Sequence, residues 1–475
     1  MKWEMIAGLE IHAQLLTKTK AFCRCPNSYG DPPNTHVCPV CLGMPGALPV
    51  LNKEVVAQAT RLALAIGATI HPKSKFDRKN YYYPDLPKGY QISQFDEPFS
   101  SGGRIEFQVG GTQRAINITR AHIEEDAGKS MHQEDGSTIV DMNRCGVPLV
   151  EIVSEPEFRS PQEAGAYVAS IRELLRFIGV CDGNMEEGSL RCDANVSVRL
   201  VGEDGFRERT EMKNLNSIRS IERAVQTEME RQIAVYESGG EIHRQTLLWD
   251  EAKGELRPMR RKEGSDDYRY FPEPDLVELE TAPDFVHLIQ ISLPELPASR
   301  RKRYTEEYAL NSESVYFLAS DICISDMFQT LVELSGSPVI SASFMQSEVQ
   351  RASKENNWTI EALPVKADRL ADLVQAVASG TVSRNQAKDI FKLMLVDKTS
   401  VSDIILKHGI KQIGDESDLR ALIEPLIKAH PQEVERYRSG KKNLMGFFVG
   451  QVMQSTNGQA DPKTVAKLVK ELLEV

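Results

Sequence analysis

Acidic and imidazole side chains recur within four segments whose residues alternate between polar and apolar, as residues do in a β-strand. In GLEIHAQL, this alternation places the carboxylate of Glu10 and the imidazole of His12 side by side on one face. HIEEDAGKS, LVEIVSE and RCDANVSVRL bring further carboxylates into a similar setting. Pointed into a common basin, these groups would form an oxygen-rich site suited to Mg²⁺ holding the phosphates of ATP. The candidate ligands are Glu10, His12, Glu124 or Glu125, Glu151 and Asp193.

The same alternation has a simpler interpretation, in which each polar residue lies on the solvated outer face of a half-exposed sheet. Periodicity alone slightly favours this alternative. The metal interpretation requires cations, because so many buried carboxylates would be costly without them. His122, Glu124 and Asp126 share one parity and Glu125 has the other, so the spacing does not decide which of the two glutamates faces the basin.

The tripeptide Gly128–Ser130 is similar to the end of a phosphate-binding loop, but the residues before it are unsuitable. Such a loop needs a glycine five residues before the second glycine, and this chain has the β-branched Ile123 there. The acidic residues that follow Ile123 would repel a polyphosphate. We therefore reject a phosphate-binding loop.

Four cysteines lie close together in a segment rich in proline, glycine and asparagine. Their spacing, C-x-C-x12-C-x2-C, allows two pairs of thiolates to grip one ion, and four thiolates favour a closed, structural zinc site. Free or redox-active thiols are the alternative. The candidate zinc ligands are Cys23, Cys25, Cys38 and Cys41.

Two further segments combine basic residues with glycine or aromatic residues. FDRKNYYYPDLPKGYQISQ carries Lys79 and Lys88, and it either lines a pocket or forms a surface loop with packed tyrosines. Near the end of the chain, ERYRSGKKNLMGFFVGQVM either contacts an RNA backbone or is a solvated helix end. Its candidate RNA-binding residues are Arg436, Arg438, Lys441 and Lys442.

The bulk properties predict a multidomain protein of the cytoplasm. The chain has 475 residues, a net charge of −11 and ordinary hydrophobic content of 41%, which argues against a protein that coats nucleic acid. We expect no signal peptide and no membrane span. Composition and periodicity divide the chain into a mixed region of strands and helices at 1–295, a helical domain at 296–405 and a helical tail at 406–475.

Local signals define two helices particularly well. Ser160 is a predicted N-cap whose capping box is completed by Glu163, and Gly179 is the predicted stop. Ser383 and Gln386 form the same pattern at the start of a later amphipathic run.

Together these segments resemble the B subunit of the glutamyl-tRNA(Gln)/aspartyl-tRNA(Asn) amidotransferase. The matching motifs occur in order along nearly the whole chain, which is far more specific than any one of them. They are GLEIHAQL, the cysteine segment, YYYPDLPKGYQISQ, HIEEDAGKS, NRCGVPLVEIVSEP, GSLRCDANVSVR, EMKNLNS, DYRYFPEPDL, LPELP and GKKNLMGFFVGQVM.

The resemblance implies an α+β fold, in which a large cradle domain around a mainly antiparallel sheet precedes an all-α domain and a small α-helical tail that touches tRNA. It also implies a heterotrimer with a glutaminase A subunit and a small C subunit. The misacylating aminoacyl-tRNA synthetase is a further expected partner. The expected activity is that of a ligase which forms C–N bonds with glutamine as amido donor.

The expected reaction begins with ATP-dependent phosphorylation of the side-chain carboxylate of Glu-tRNA(Gln) or Asp-tRNA(Asn). Ammonia channelled from the A subunit then displaces phosphate. By resemblance, the Mg²⁺ ligands are Glu10, His12, Glu125 or Glu124, Glu151 and Asp193, and the four cysteines bind structural zinc. Lys79 and Lys88 are expected near the acyl end of the tRNA or the channel mouth. The alternative is a non-catalytic subunit of the same complex that only positions tRNA.

Overall fold

The chain folds into two compact units, Met1–Ala298 and Ser299–Val475. The computed structural model describes residues 2–133, 135–259, 268–409, 416–456 and 460–474. All strands among these residues belong to the first unit, whereas the described part of the second unit is helical. The predicted α+β fold class, with a sheet domain followed by a helical region, is confirmed. The predicted domain ranges stay predictions.

The first unit is built on a ten-stranded sheet. The strands of this unit are β1 (Trp3–Gln14), β2 (Thr69–Ile70), β3 (Lys73–Ser74), β4 (Asp77–Asn80), β5 (Tyr90–Ser93), β6 (Ser100–Ser101), β7 (Arg104–Val109), β8 (Thr112–Glu125), β9 (Lys129–His132), β10 (Thr138–Asp141), β11 (Pro148–Ser154), β12 (Leu190–Leu200), β13 (Thr210–Lys213), β14 (Gln245–Asp250), β15 (Glu255–Pro258), β16 (Phe271–Pro272) and β17 (Leu279–Glu280).

The long strands β12, β1, β11 and β8 lie next to one another in the middle of this sheet. The full order is β15-β14-β13-β12-β1-β11-β8-β6-β2, and β7 pairs with β8 outside this path. The strand pairs of the sheet are antiparallel except for β13 and β14, which are parallel. A separate three-stranded sheet, β16-β4-β5, and the pairs β10-β9 and β17-β3 complete the unit.

One face of the large sheet is covered by helices, and its apolar side chains form the core of the first unit. In β1 the buried residues Leu9, Ile11 and Ala13 belong to this core, whereas the residues between them point to the other face. Helices α2 and α3 pack against each other and against β7 and β12 respectively. The helices of the first unit are α1 (Lys53–Ala65), α2 (Pro161–Phe177), α3 (Ile218–Glu237) and α4 (Pro283–Ser292).

The predicted start of α2 differs from the structure in one bond. The hydroxyl of Ser160 accepts a hydrogen bond from the amide of Glu163, at 3.2 Å, as expected of an N-cap. The carboxylate of Glu163, however, accepts from the amide of Arg159, at 2.8 Å, rather than from that of Ser160. Ser160 and Glu163 therefore both accept hydrogen bonds at the start of the helix, but Glu163 accepts from the residue before the predicted one. Gly179, with a φ of +67°, follows the helix end as predicted.

Two hydrophobic clusters organise the second unit. The first includes Phe328 and Phe391, and the second includes Phe448 and Leu468. The helices from residue 297 onward are α5 (Pro297–Glu306), α6 (Ser312–Leu318), α7 (Ile322–Ser335), α8 (Pro338–Phe344), α9 (Gln350–Asn356), α10 (Ala367–Ala378), α11 (Arg384–Met394), α12 (Val401–Lys407), α13 (Glu416–Ala429), α14 (Pro431–Arg438), α15 (Met445–Ser455) and α16 (Pro462–Glu474). The turn Met345–Val349 is a π-helix, and Met142–Arg144 and Lys442–Leu444 are 3₁₀ turns.

The start of α11 carries the capping box that the sequence predicts. The side chain of Ser383 accepts from the amide of Gln386, and the Gln386 side chain accepts from the amide of Ser383.

Among the described residues, no single helix is both long and apolar enough to cross a bilayer. Helices α6 and α7 meet these two criteria only when taken together, across a bend of 113°.

Candidate functional site

The pairing register places acidic, amide and imidazole side chains on the face of the sheet opposite the helices. We call this surface the polar face. His12 lies directly opposite Glu151 of β11, which lies opposite His122 of β8. On its other side, β1 aligns Glu10 with Asp193 of β12. Directly opposite residues of an antiparallel pair project to the same face, so these side chains converge without any help from loops.

Two histidines and two glutamates form the centre of the polar face. We call His12, His122, Glu124 and Glu151 the histidine–carboxylate group. One ligand atom from each of His12, Glu124 and Glu151 lies within 4.8 Å of the others. The Nε2 atom of His12 is 3.5 Å from an oxygen of each glutamate. His122 approaches the same two side chains, with Nε2 at 3.3 Å from Glu151 and 3.8 Å from Glu124.

Burial and charge act against each other in this group, and charge prevails. Burial disfavours the protonated form of His122, but the charge of Glu151 and the hydrogen bond with Glu124 raise its pKa to about 9. Burial also opposes protonation of His12, whose pKa is nevertheless raised by its hydrogen bond with Glu151 and the charge of Glu124. Burial opposes ionisation of Glu151, yet the two histidines hold its pKa well below the usual range.

Histidine nitrogens and carboxylate oxygens arranged in this way can bind a divalent cation. In the absence of one, the raised pKa values of the two imidazoles favour protonation, which offsets the carboxylate charges. A cation would take over that balancing role, because metal ligands bind in their deprotonated forms. The donor chemistry therefore fits the predicted Mg²⁺, with His12, Glu124 and Glu151 as the residues that would hold it.

A second charged group continues the polar face across β12 and β13. The ammonium of Lys213 lies 2.8 Å from Asp193 and 2.9 Å from Glu211. The side-chain amide of Asn195 donates a hydrogen bond to the Glu10 carboxylate over 3.1 Å. The pKa of Glu10 is raised, first by burial and then by the negative charges of Glu151, Glu211 and Asp193. Glu10 is therefore a carboxylate whose ionisation would be helped by a nearby cation.

Lys79 lies in β4 of the separate three-stranded sheet, and its pKa depends on the charges of the polar face. Burial opposes its charge, but Glu124 makes the largest contribution to raising the Lys79 pKa, ahead of Tyr270 and Glu151. Its Nζ atom also lies 4.8 Å from the centre of the Tyr268 ring. The charges of the histidine–carboxylate group thus act on Lys79.

The structure separates the two adjacent glutamates whose roles the spacing left open. Glu124 joins the histidine–carboxylate group, where the Ser93 hydroxyl donates to it over 3.3 Å. Glu125, which is also buried, pairs instead with Lys88 and accepts the amide of Ile92 over 3.0 Å. Glu125 points away from the histidine–carboxylate group, because successive side chains of a strand point to opposite faces, and Lys88 pairs with it there.

Glu125 and Lys88 line a cavity of about 330 Å³ that lies beside the cysteine segment. Gly146 also lines this cavity, and its φ of +82° is a backbone conformation that favours glycine.

The four cysteines of the predicted zinc site form one cluster. Their sulfur atoms all lie within 4.8 Å of one another. Those of Cys38 and Cys41 are 3.8 Å apart, the separation expected for two ligands of a tetrahedral ion at a zinc–sulfur distance of about 2.3 Å. A hydrogen bond with Cys23 lowers the pKa of Cys41 to about 5, and Lys20 acts in the same direction. The cluster therefore has the donor set and spacing for zinc.

The four basic residues of the tail are exposed around a turn between α14 and α15. Arg438 donates to the carbonyl of Leu473 over 3.0 Å, which ties this turn to α16. The Lys442 ammonium lies 4.1 Å from the centre of the Tyr437 ring. Arg436 and Lys441 are also exposed, so these side chains form a basic surface at one end of the second hydrophobic cluster.

The candidates derived from the sequence did not include His122, Glu211 or Lys213 of the polar face. His122 shares the parity of Glu124, and this signal was available in the alternation of HIEED. Glu211 and Lys213 lie in the four-residue strand β13, where the alternation is too short to stand out. Their place beside Asp193 depends on a long-range strand pairing.

Two family models match this chain. A family model described as the GatB/GatE catalytic domain matches residues 5–287, and one described as the GatB domain matches residues 326–473. The chain is thus a protein with a GatB/GatE catalytic domain, and the polar face lies within the matched residues.

Curated relatives match the chain from end to end. It is 49% identical to the B subunit of the aspartyl/glutamyl-tRNA(Asn/Gln) amidotransferase of Halorhodospira halophila, with all of both chains covered. The protein of the same name from Thermodesulfovibrio yellowstonii is 47% identical, also over all of both chains. That of Crocosphaera subtropica is 47% identical over 99% of this chain and 98% of its own. The chain therefore belongs to the family of aspartyl/glutamyl-tRNA(Asn/Gln) amidotransferase B subunits, and the resemblance drawn from its motifs is confirmed.

Proposed function

We propose that this chain is the subunit of a tRNA-dependent amidotransferase that activates and amidates the amino acid on a misacylated tRNA. The substrates are Glu-tRNA(Gln), Asp-tRNA(Asn) or both, together with ATP and ammonia. The observation that carries the proposal is the convergence of His12, Glu124 and Glu151 on one face of the sheet, where the charges of the two glutamates also raise the pKa of Lys79.

The first step activates the side-chain carboxylate of the attached amino acid. A carboxylate oxygen attacks the γ-phosphorus of ATP, the bond to the β–γ bridging oxygen breaks, and ADP leaves. The product is an acyl phosphate with a good leaving group. Catalysis of phosphoryl transfer consists mainly of alignment and charge neutralisation, which charged side chains on a rigid sheet can supply.

The polar face divides this work among its residues. His12, Glu124 and Glu151 would hold Mg²⁺, with Glu10 and Asp193 contributing from the neighbouring group. When bound, Mg²⁺ would neutralise and orient the phosphate oxygens. Lys79 adds a fixed positive charge beside the phosphates, and His122 holds the carboxylates of Glu124 and Glu151 in place.

The second step replaces phosphate with nitrogen. The lone pair of ammonia attacks the acyl carbon, the bond from that carbon to the phosphate-bearing oxygen breaks, and the nitrogen loses a proton. The amide product is glutamine or asparagine on the tRNA. We assign Lys88 and Glu125 to the approach to the acyl end rather than to the phosphates, because they line the cavity beside the cysteine segment.

The chain works with partner proteins and has two further binding sites. A glutaminase A subunit supplies ammonia through a channel, and a small C subunit joins the two in a cytoplasmic heterotrimer. The misacylating aminoacyl-tRNA synthetase is a further partner. The cysteine cluster binds structural zinc. The exposed basic turn with Arg436, Arg438, Lys441 and Lys442 contacts the tRNA backbone.

The alternative is that the chain only positions tRNA while a partner performs the chemistry. Formation of acyl phosphate by the assembled complex, measured with misacylated tRNA and ATP, separates the two. We expect Glu151→Gln and Glu10→Gln to lower this step at least about 100-fold. Glu106→Gln is the matched control, because this glutamate lies in the same sheet with 53% of its side chain exposed. Normal acyl phosphate formation in both site variants would refute the catalytic assignment.

A further inference from the structure

Lys20 is a lysine whose whole side chain is buried beside the cysteine cluster. Its exposed fraction is 0%. Lysine is rarely found in such a position unless its charge has a partner. Lys20 takes no part in the proposed reaction, so its burial has another cause.

The ammonium of Lys20 has three acceptors around it. It donates to the carbonyl of His36 over 2.7 Å, and it lies 3.5 Å from the carbonyl of Met142 and 3.9 Å from the sulfur of Cys41. An ammonium has three N–H donors and accepts no hydrogen bond, so these contacts suit the charged form of the side chain. Of the three acceptors, only the sulfur can itself carry a negative charge.

No carboxylate balances the charge of Lys20 in the part of the chain that the structure describes. Within those residues, no aspartate or glutamate oxygen lies within 4.0 Å of the ammonium. Glu125, which lines the neighbouring cavity, pairs with Lys88 instead. A buried charge without an opposite charge nearby is costly. The cysteine cluster is therefore the source of negative charge that this lysine faces.

A zinc ion held by four thiolates leaves negative charge in excess. Because metal binding deprotonates the thiols, four thiolates and one Zn²⁺ carry about two net negative charges. Part of this charge would lie away from water, since Cys41 is only 2% exposed. The amide of Cys38 offsets some of it by donating to the Cys41 sulfur over 3.1 Å. An ammonium beside the same sulfur offsets a full charge.

The backbone around Lys20 is fixed by hydrogen bonds to two other segments. The amide of Lys20 donates to the carbonyl of Cys25 over 3.0 Å, and the amide of the next residue, Ala21, donates to the carbonyl of Gly146 over 2.9 Å. The ammonium is thus in place before a metal arrives. Such preorganisation lowers the cost of binding.

We propose that Lys20 is a positioning residue of the cysteine cluster, whose ammonium balances part of the negative charge of the four thiolates and so strengthens the binding of zinc. This inference rests on the proposed function, since it concerns the same structural zinc. Lys20 contacts the sulfur of a ligand, so it acts through that ligand. Residues that contact metal ligands in this way commonly tune the affinity for the metal.

The first test is the zinc affinity of the full-length chain, measured under reducing conditions by competition with a chelator of known affinity. Lys20→Met removes the charge and the donors, whereas Lys20→Gln removes the charge and keeps N–H donors. Each should weaken zinc binding about 10- to 100-fold, the usual effect of losing a group that contacts a metal ligand. Lys18→Met is the matched control, because Lys18 is an exposed lysine of the same segment.

Both variants should keep the cysteine segment folded, because other hydrogen bonds hold it. The amide of Asn34 donates to the carboxylate of Asp141 over 3.1 Å, and its side chain accepts from the amide of Met142 over 2.8 Å. The amide of His36 donates to the side chain of Asn143 over 2.8 Å. None of these bonds involves the lysine.

A second test separates charge from packing. Four thiolates can also hold iron, and the reduction potential of an iron–thiolate site depends on the charge around it. Loss of a positive charge favours the oxidised form, in which the site as a whole is less negative. Both Lys20 variants of the iron-loaded chain should therefore have a lower potential than the wild type, and Lys18→Met should not.

Unchanged zinc affinity in Lys20→Met and Lys20→Gln would overturn the inference. So would weaker zinc binding with an unchanged potential of the iron-loaded chain, which would assign Lys20 to packing alone. Failure of the proposed zinc site looks different, since the wild-type chain itself would then bind no zinc.

Discussion

Replacement of His122 by glutamine should change the way in which stability depends on pH. In the folded chain the pKa of His122 is about 9, against about 6.5 for an unperturbed histidine. A raised pKa means that the folded state binds the proton more tightly than the unfolded state does. The resulting stabilisation is complete below pH 6.5, and it is lost as the pH rises through 9.

The size of this effect follows from the pKa difference. About 2.5 pKa units correspond to about 3 kcal/mol, lost with a slope of about 1.4 kcal/mol per pH unit. Glu151 contributes no slope in this range, because its pKa is lowered in the fold and it is ionised in both states. The other titrating groups remain in the variant, but His12 shares Glu124 and Glu151 with His122, so the difference between the two pH profiles reports on His122 together with its coupling to His12.

The assay is urea unfolding in Mg²⁺-free buffer between pH 6 and 9.5, followed by tryptophan fluorescence. Of the three tryptophans, Trp3 and Trp249 lie in the first unit, so a Trp358→Phe background reports on that unit alone. Relative to His122→Gln, the wild type should lose about 3 kcal/mol of unfolding free energy over this range. His132→Gln, at an exposed histidine, should leave the profile unchanged.

Parallel profiles for wild type and His122→Gln would refute the reasoning. A second measurement tests its link to the proposed metal site. Mg²⁺ that occupies the histidine–carboxylate group competes with protons, so saturating Mg²⁺ should flatten the wild-type profile.

Two further predictions concern the zinc cluster and the tail. Metal analysis of the purified chain should find about one zinc per molecule, lost in Cys38→Ser and retained in Cys323→Ser, whose cysteine lies outside the cluster; zinc retained in Cys38→Ser would contradict a four-thiolate site. In the tail, Lys441→Ala combined with Lys442→Ala should reduce the slope of log affinity for tRNA against log salt by roughly 1.4 to 1.8, as two lost phosphate contacts require. An unchanged slope would place the tRNA backbone elsewhere.

The alternation of polar and apolar residues predicts the polar face better than it predicts which acids belong to it. Ala121 and Ile123 are buried in the core, so their parity fixes Glu124 on the polar face. Glu125 has the parity of these apolar residues and is still a buried carboxylate. It is tolerated because Lys88 and the amide of Ile92 supply its partners, and neither partner can be inferred from a strand's own sequence.

Pairings between strands that are distant in the sequence place most of the polar-face residues that the sequence analysis did not predict. Glu211 reaches the polar face because β13 pairs with β12, which brings Glu211 opposite Asn195. The helix starts were easier to predict from the sequence, because caps depend on neighbours within a few residues. Even there, the Glu163 carboxylate accepts from the amide of Arg159 instead of that of Ser160, a difference of one residue that local pattern does not determine.

The apolar core and the polar face are two consequences of one pairing register. Ile11 lies opposite Ile152 on one side and Cys192 on the other, and all three are buried. A slip of one residue between β1 and either neighbour would turn Glu10 and His12 toward the helices. Burying those charges without partners costs several kcal/mol, and the core would lose apolar contacts as well. The packing of the apolar side therefore enforces the meeting of His12 with Glu151, so the geometry of the candidate site is maintained by residues that never touch a ligand.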